Sequence, residues 1–195
     1  MEGSSMTEKD IYKELENGLI LRLVQNDELN SVKTMYKKIC RAMRDNGIRI
    51  WDYNYPCGYI KYDIEDKRLI GLYEKNICVG SFALCVKEQN EYPAEWEWQE
   101  IGVYCERVAV DVDHQRRGYG AVLYREAKEL TAKLGYNSLR VVIVDTNEPA
   151  LGLVKKCGFY KKEGVYLHHI DDAHILSEYA FEAMLPEFFT AGYEM

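Results

Sequence analysis

Val108-Ala109-Val110-Asp111-Val112-Asp113-His114-Gln115-Arg116-Arg117-Gly118-Tyr119-Gly120-Ala121 is the stretch of this chain whose reading decides the fold. It reads as a strand, a basic turn punctuated by glycines, and the start of an amphipathic helix. Val108 and Val110 alternate as strand residues do. Val122, Leu123, Ala127, Leu130 and Leu134 fall at helical spacing, and Gly135 is a natural stop. A helix N-terminus offers backbone N–H groups without intrahelical partners and the positive end of the macrodipole. Gly118 and Gly120 let a bulky anion approach the backbone, and Arg116 and Arg117 add charge. The turn is therefore expected to hold a phosphate or pyrophosphate.

Two other anion motifs do not fit. A dinucleotide fingerprint needs a third glycine, but Gly120 is followed by Ala121, Val122 and Leu123, and no Gly-Lys-Ser/Thr of a Walker loop is present there. A tight turn whose glycines merely permit a sharp corner remains open on the motif alone. The spacing Gln115-x-x-Gly118-x-Gly120, after a strand and opening a helix, resembles the acyl-CoA-binding motif of the GNAT superfamily of N-acyltransferases. A second segment, Asn147-Glu148-Pro149-Ala150-Leu151-Gly152-Leu153-Val154-Lys155-Lys156-Cys157-Gly158-Phe159, resembles that family's N-x-x-A-x-x-L-Y-x-K-x-G-F run, one helix and one strand downstream. The resemblance covers roughly Leu19 to Leu185. Gly47 to Asp63, with Ile50-Trp51-Asp52 and Tyr55-Pro56, more loosely resembles a bacterial subgroup of the family.

The resemblance implies a set of coenzyme contacts. The backbone of Val108, Ala109 and Val110 would hold the pantetheine arm as an added strand segment does. Gln115, Arg116, Arg117, Gly118, Tyr119, Gly120 and Ala121 would hold the pyrophosphate. Asn147 and Lys156 would lie near the pantetheine and the adenosine phosphate, although Lys156 also reads as a solvated helix lysine. The donor implied is acetyl-CoA and the acceptor an amine, on a small molecule or a protein or peptide, attacking directly in a ternary complex.

Composition bounds the rest. With 47% hydrophobic and 29% charged residues, the 195-residue chain is of soluble globular type and fits one domain. A net charge of −7 argues against general nucleic-acid binding and suits a cationic substrate better than an anionic one. Against it, Arg116, Arg117, Arg125 and Lys128 form a basic cluster around the turn, though a solvated helix face would look similar. The six cysteines are scattered without a C-x-x-C pair, which suits free thiols in a reducing cytoplasm. No signal peptide or membrane-spanning apolar run is read, so no membrane partner is expected, and a homodimer stays open. Residues 1–18 are expected as a flexible lead-in, 19–187 as the catalytic domain and 188–195 as a tail.

The expected order is β-α-α-β-β-β-α-β-α-β-β, an α/β domain with a mixed, mostly antiparallel sheet of six or seven strands flanked by helices, the GNAT fold. Strands are expected at Leu19–Val24, Leu69–Tyr73, Ile77–Val86, Ile101–Val110, Leu139–Val144, from Phe159, and near Glu178–Met184. Helices are expected from Asn26 or Asp27 to Arg44, Cys57 to Ile64, Ala121 to Leu134, and after a cap at Thr146 or Asn147 to Gly158. Glu74-Lys75-Asn76 reads as a hairpin turn and Gln89 to Trp98 as a loop. His168-His169-Ile170-Asp171-Asp172-Ala173-His174 matches no zinc spacing and reads as a polar connection, so no metal is expected.

Acyl transfer from a thioester to an amine needs a neutral amine, yet an alkylammonium has a pKa near ~10.4. It also needs a donor for the oxyanion and a proton for the leaving thiolate. Glu106, two positions before Val108, is the expected general base, since partial burial would raise its pKa. The plainer alternative is a strand glutamate paired with Arg107 or Arg140. Glu95, Glu97 and Glu100 could attract a cationic amine, or simply solvate a loop. Trp51, Tyr53 and Tyr55 could wall the acceptor pocket or serve as packing anchors. Val154 stands where the resemblance implies a tyrosine that protonates the thiolate, so either the thiolate leaves unassisted or another group such as Tyr124 or Tyr119 contributes. It also leaves a second function open: an acyl-CoA-binding regulatory or interaction module without catalysis.

Overall fold

The structure, a computed structural model, describes residues 8–52, 54–87, 94, 96, 102–171 and 174–185. The chain runs through helix α1 (Glu8–Ile11), strands β1 (Lys13–Glu14) and β2 (Leu19–Leu23), and helices α2 (Leu29–Asp45) and α3 (Ile60–Glu65). Strands β3 (Leu69–Glu74), β4 (Ile77–Lys87) and β5 (Gly102–Val110) follow, then helix α4 (Tyr119–Lys133), strand β6 (Ser138–Val144) and helix α5 (Glu148–Lys156). Strands β7 (Tyr160–Lys161), β8 (Tyr166–Asp171) and β9 (His174–Met184) complete the order. They form one mixed sheet, β1-β2-β3-β4-β5-β6-β9-β7, with β8 also pairing with β9. Among these pairings β5–β6 alone is parallel, so the sheet is mostly antiparallel, as expected.

The pleat divides the core into two. Phe82 and Leu84 of β4 point to one face, where Leu123, Tyr124, Ala127 and Leu130 of α4 and Leu151 and Val154 of α5 cover them. Ala83 and Cys85 point to the other, under Val32, Met35, Tyr36 and Ile39 of α2 and Ile60 and Ile64 of α3. The buried residues of α2 recur at the i, i+3, i+4, i+7 spacing of a one-sided helix. Lys75 and Asn76 both have positive φ, the type I′ geometry that closes a two-residue hairpin between β3 and β4.

The described sheet holds two strands beyond the seven expected. β1 is two residues long, too short to show a period, and pairs Lys13 with Leu21. The histidine-rich segment expected as a polar connection is corrected to strand β8, which pairs with β9 from Tyr166↔Glu178 to Asp171↔His174. As an edge strand it can carry polar residues. β9 starts at His174, four residues before the expected Glu178, and α3 starts at Ile60 rather than Cys57. A single 3-10 turn over Asn26–Glu28 precedes α2. The expected loop 89–98, apart from 94 and 96, and the tail 188–195 lie outside the described residues.

Candidate active site

The sheet opens where β5 meets β6. The two strands pair only at Val103↔Leu139 and Tyr104↔Arg140. On its other edge β5 slips register against β4, with Ala83 opposite Glu106 but Ser81 opposite Ala109. Arg107 sits in that bulge at φ +52. Past the bulge, the Asp111 N–H donates to Val79 O at 2.9 Å, so the Ala109 peptide, two residues back, faces β4 as well. Val108 and Val110 therefore turn their backbone groups to the open side. Of the three residues expected to hold the pantetheine arm, these two face the opening and Ala109 does not.

β5 runs directly into the glycine turn. Asp111 Oδ1 accepts from Asp113 N–H at 2.9 Å and shapes the first bend. Gly118, at φ +83, takes the left-handed conformation that a side chain would strain, and it forms the N-cap of α4. Its carbonyl accepts from Ala121 and Val122, which leaves the Tyr119 and Gly120 N–H groups as first-turn donors. Gly120 has a different reason to be glycine: a Cβ there would stand 2.7 Å from Leu153 Cδ2 on α5. Gln115 folds back, its Nε2 3.4 Å from Val110 O.

The basic cluster around the turn is thinner than its composition. Arg117 is 3.5 Å from Glu74, Arg125 binds Glu126 at 2.8 Å, and Lys128 caps α5 by donating to Cys157 O at 2.8 Å. Arg116 is exposed. Asn147 caps α5 as expected, its Oδ1 3.4 Å from Ala150 N, and Lys156 is exposed in the last turn. Tyr119 donates to Glu74 at 3.1 Å. Tyr124 is buried in the core edge-on against Phe159, and burial drives its hydroxyl far above the ordinary tyrosine value, which makes it a weaker acid than an exposed tyrosine. Val154 is fully buried in the core.

On the opposite face an aromatic series leads toward Glu106. Ring centroids step from Tyr36 to Trp51 at 5.9 Å, Tyr55 at 6.4 Å and Tyr59 at 5.5 Å, and the Arg107 guanidinium lies 5.7 Å from the Tyr59 ring. Trp51 and Tyr55 are thus brought together near Glu106 and Arg107, whereas Tyr53, Glu95, Glu97 and Glu100 lie outside the described residues. Glu106 is 17% exposed and is held at 2.6 Å by both Lys87 Nζ and Arg107 Nη1. Burial pushes its carboxyl up, but the two cations outweigh burial, so its pKa falls below the ordinary glutamate value. That corrects the expectation of a raised base, and its partners are Arg107 and Lys87 rather than Arg140, which pairs with Glu182.

The strand pairing of β8 with β9 brings Glu178 and His168 together, a contact that the polar reading of the histidine segment did not contain. Glu178 is 13% exposed, and its Oε1 is 3.8 Å from Nδ1 of half-exposed His168 across the β8–β9 pair. Burial holds its carboxyl above the ordinary glutamate value; His168 and Lys87 oppose the rise and Glu106 reinforces it. One sequence signal was available, since Glu178 and Glu182 are four apart in an apolar strand and so share a face.

The sequence model of the acetyltransferase (GNAT) family matches residues 32–159. No curated protein matches the chain. Among solved structures, a GNAT-family acetyltransferase of Streptococcus agalactiae superposes with a TM-score of 0.73 at 16% identity, over 89% of this chain and 99% of that one. The ribosomal-protein-S18-alanine N-acetyltransferase of Escherichia coli gives 0.57 at 13% identity, over 91% and 98%. PaiA N-acetyltransferase of Thermoplasma acidophilum, in complex with coenzyme A, gives 0.57 at 13%, over 85% and 98%. The opened β5 edge, the glycine turn at α4 and the family match agree, and the chain belongs to the GNAT family of acetyltransferases.

Proposed function

We propose that this protein transfers an acetyl group from acetyl-CoA to a primary amine, on a small molecule or on a protein or peptide, within a ternary complex. The observation that carries the reading is the edge of β5 at Val108 and Val110, which among the described residues no strand pairs with and only the Gln115 amide approaches, continuous with the N-terminus of α4. An extended amide-bearing arm fits such an edge by strand addition, and a pyrophosphate fits the Tyr119 and Gly120 N–H groups. Arg116 and Lys156, both exposed, would take the remaining phosphate charge, while Asn147 supports the site by capping α5. Acetyl-CoA supplies an activated thioester.

Direct attack is favoured because the described thiols are poor nucleophiles. Burial pushes Cys40 to about 11 and Cys78 and Cys85 to about 12, so none is a ready thiolate for an acyl-enzyme. The six free cysteines also suit a reducing cytoplasm. Among the described residues, no helix is long and apolar enough to cross a membrane. Trp51 and Tyr55 line the acceptor side, and Glu106 gives it a fixed negative charge, held ionised by Lys87 and Arg107. Calorimetry with acetyl-CoA, followed by thiol release against a panel of amines, tests the reading. No binding at millimolar coenzyme removes it, and binding without turnover leaves the acyl-CoA-binding module that Val154 motivates.

A further inference from the structure

Cross-strand partners share a sheet face, so the register places several side chains together. Tyr104, Arg140 and Glu182 lie in one row across β5, β6 and β9. Two residues further along each strand, Glu106, Val142 and Ala180 occupy the same face. One step beyond, Glu178 faces Val144 at the end of β6 and Tyr166 on β8, with His168 diagonal to it. Glu106 thus borders the gap between β5 and β6, and Glu178 lies on the same face one strand beyond it, across the end of β6. The charged groups acting on Glu178 are His168 from β8, Glu106 from β5 and Lys87 from β4; its β6 partner, Val144, is uncharged.

We infer that Glu178 takes the proton from the acceptor ammonium and that His168 carries it to solvent, an inference that rests on the acetyltransferase reading above. Glu106 cannot do this well, because two cations at 2.6 Å stabilise its charged form. Glu178 has an imidazole at 3.8 Å as its neighbour, close enough for transfer after a small side-chain movement or through one water. The ammonium N–H bond breaks as the Glu178 O–H bond forms, and the freed amine lone pair attacks the thioester carbonyl. The C–S bond then breaks as the amide C–N bond is completed. The second amine proton goes to the departing thiolate, so one proton per turnover leaves through His168. His168, half exposed, suits that last step.

Glu178→Gln should lower kcat/KM for thiol release by about 100-fold or more, the usual range for a general base. Acetyl-CoA affinity by calorimetry should stay as in the parent protein. The acid limb of the pH profile should disappear in Glu178→Gln. In His168→Asn, an exposed change that spares the fold, the limb should move to higher pH, because the interaction with His168 that opposes the rise at Glu178 is gone. A carbon-13 NMR titration of glutamate carboxyls, assigned by the signal lost in Glu178→Gln, reads the group without turnover and should show it above the ordinary range. The amines used are spermidine, lysine and short peptides with free α-amino groups. Wild-type turnover with an unchanged pH profile in Glu178→Gln overturns this inference and leaves acetyl transfer standing. A Glu178 carboxyl titrating at or below the ordinary value overturns it too. Wild-type protein inert with every amine overturns both.

Discussion

Arg107 donates to Asp63 through Nε at 2.6 Å and Nη2 at 3.0 Å, and so ties the bulge of β5 to helix α3. Helix α2 holds the same point from above, since the Tyr36 hydroxyl donates to the Arg107 carbonyl at 2.6 Å. The bulge is thus clamped by two helices while the other edge of β5 departs from β6. Fold and site meet at this residue: its backbone bends the strand, and its side chain fixes the Glu106 carboxylate.

Asp63→Ala would leave the Arg107 guanidinium buried beside a hole. Breaking a buried ion pair by removing one partner costs about 3–5 kcal/mol, which urea unfolding would read directly. The double variant Asp63→Ala/Arg107→Met should recover part of that loss, because the buried guanidinium is removed together with its partner. A loss under 1 kcal/mol in the single variant would mean that water or Glu106 compensates.

What the sequence disclosed, and what it hid, follows from the range of the interactions. The glycine turn and the Asn147 cap are local, with every partner within a few residues, and both were legible. The strand order followed from hydrophobic period, and its misses were β1, too short for a pattern, and β8, whose polar residues suit an edge. The protonation state of Glu106 was not legible, because Lys87 reaches it only through the cross-strand register of β4 and β5, set by the bulge. Glu178 and His168 were hidden for the same reason, being neighbours only once β8 is known to be a strand.

Glu28 should mark the acid side of stability. It receives Arg22 through two bonds of 2.8 Å, the Gln25 N–H at 2.9 Å and the Tyr73 hydroxyl at 3.0 Å. Burial raises its pKa, but these partners outweigh burial and the folded value lies below the unfolded one. A depressed folded pKa contributes stability that is complete above the unfolded pKa, near ~4.3, and is lost as pH falls through the folded value. Glu28→Gln should therefore cost about 1–3 kcal/mol at pH 7, and the gap from the parent should narrow below about pH 4. An equal gap at pH 7 and pH 3 would show that shape rather than charge is responsible.

Val154→Tyr tests whether the thiolate donor can be restored at the position that the family motif implies. The Val154 side chain is fully enclosed beside Leu151 and Phe159, so the added ring has no void to enter. Overpacking of this kind costs about 1–3 kcal/mol. The expected result is a lower melting temperature and no gain in thiol release. A stable variant with faster turnover would show that the ring finds a path toward the β5 opening.

The two glycines of the turn should separate in their effect on coenzyme affinity. A methyl on Gly118 meets no atom within 4 Å, so it would stand in the open space of the turn, and φ +83 adds backbone strain of about 1–3 kcal/mol. Gly118→Ala should thus weaken acetyl-CoA binding about 10-fold, equivalent to ~1.4 kcal/mol, and lower stability as well. A methyl on Gly120 points instead at Leu153 Cδ2, the flexible end of a half-buried side chain that can turn aside. Its packing cost of about 1–3 kcal/mol is set against ~1 kcal/mol of helix propensity gained, so stability should change little and affinity should hold. Calorimetry on both variants decides it: if Gly120→Ala loses as much affinity as Gly118→Ala, the coenzyme approaches the α4–α5 junction rather than the turn.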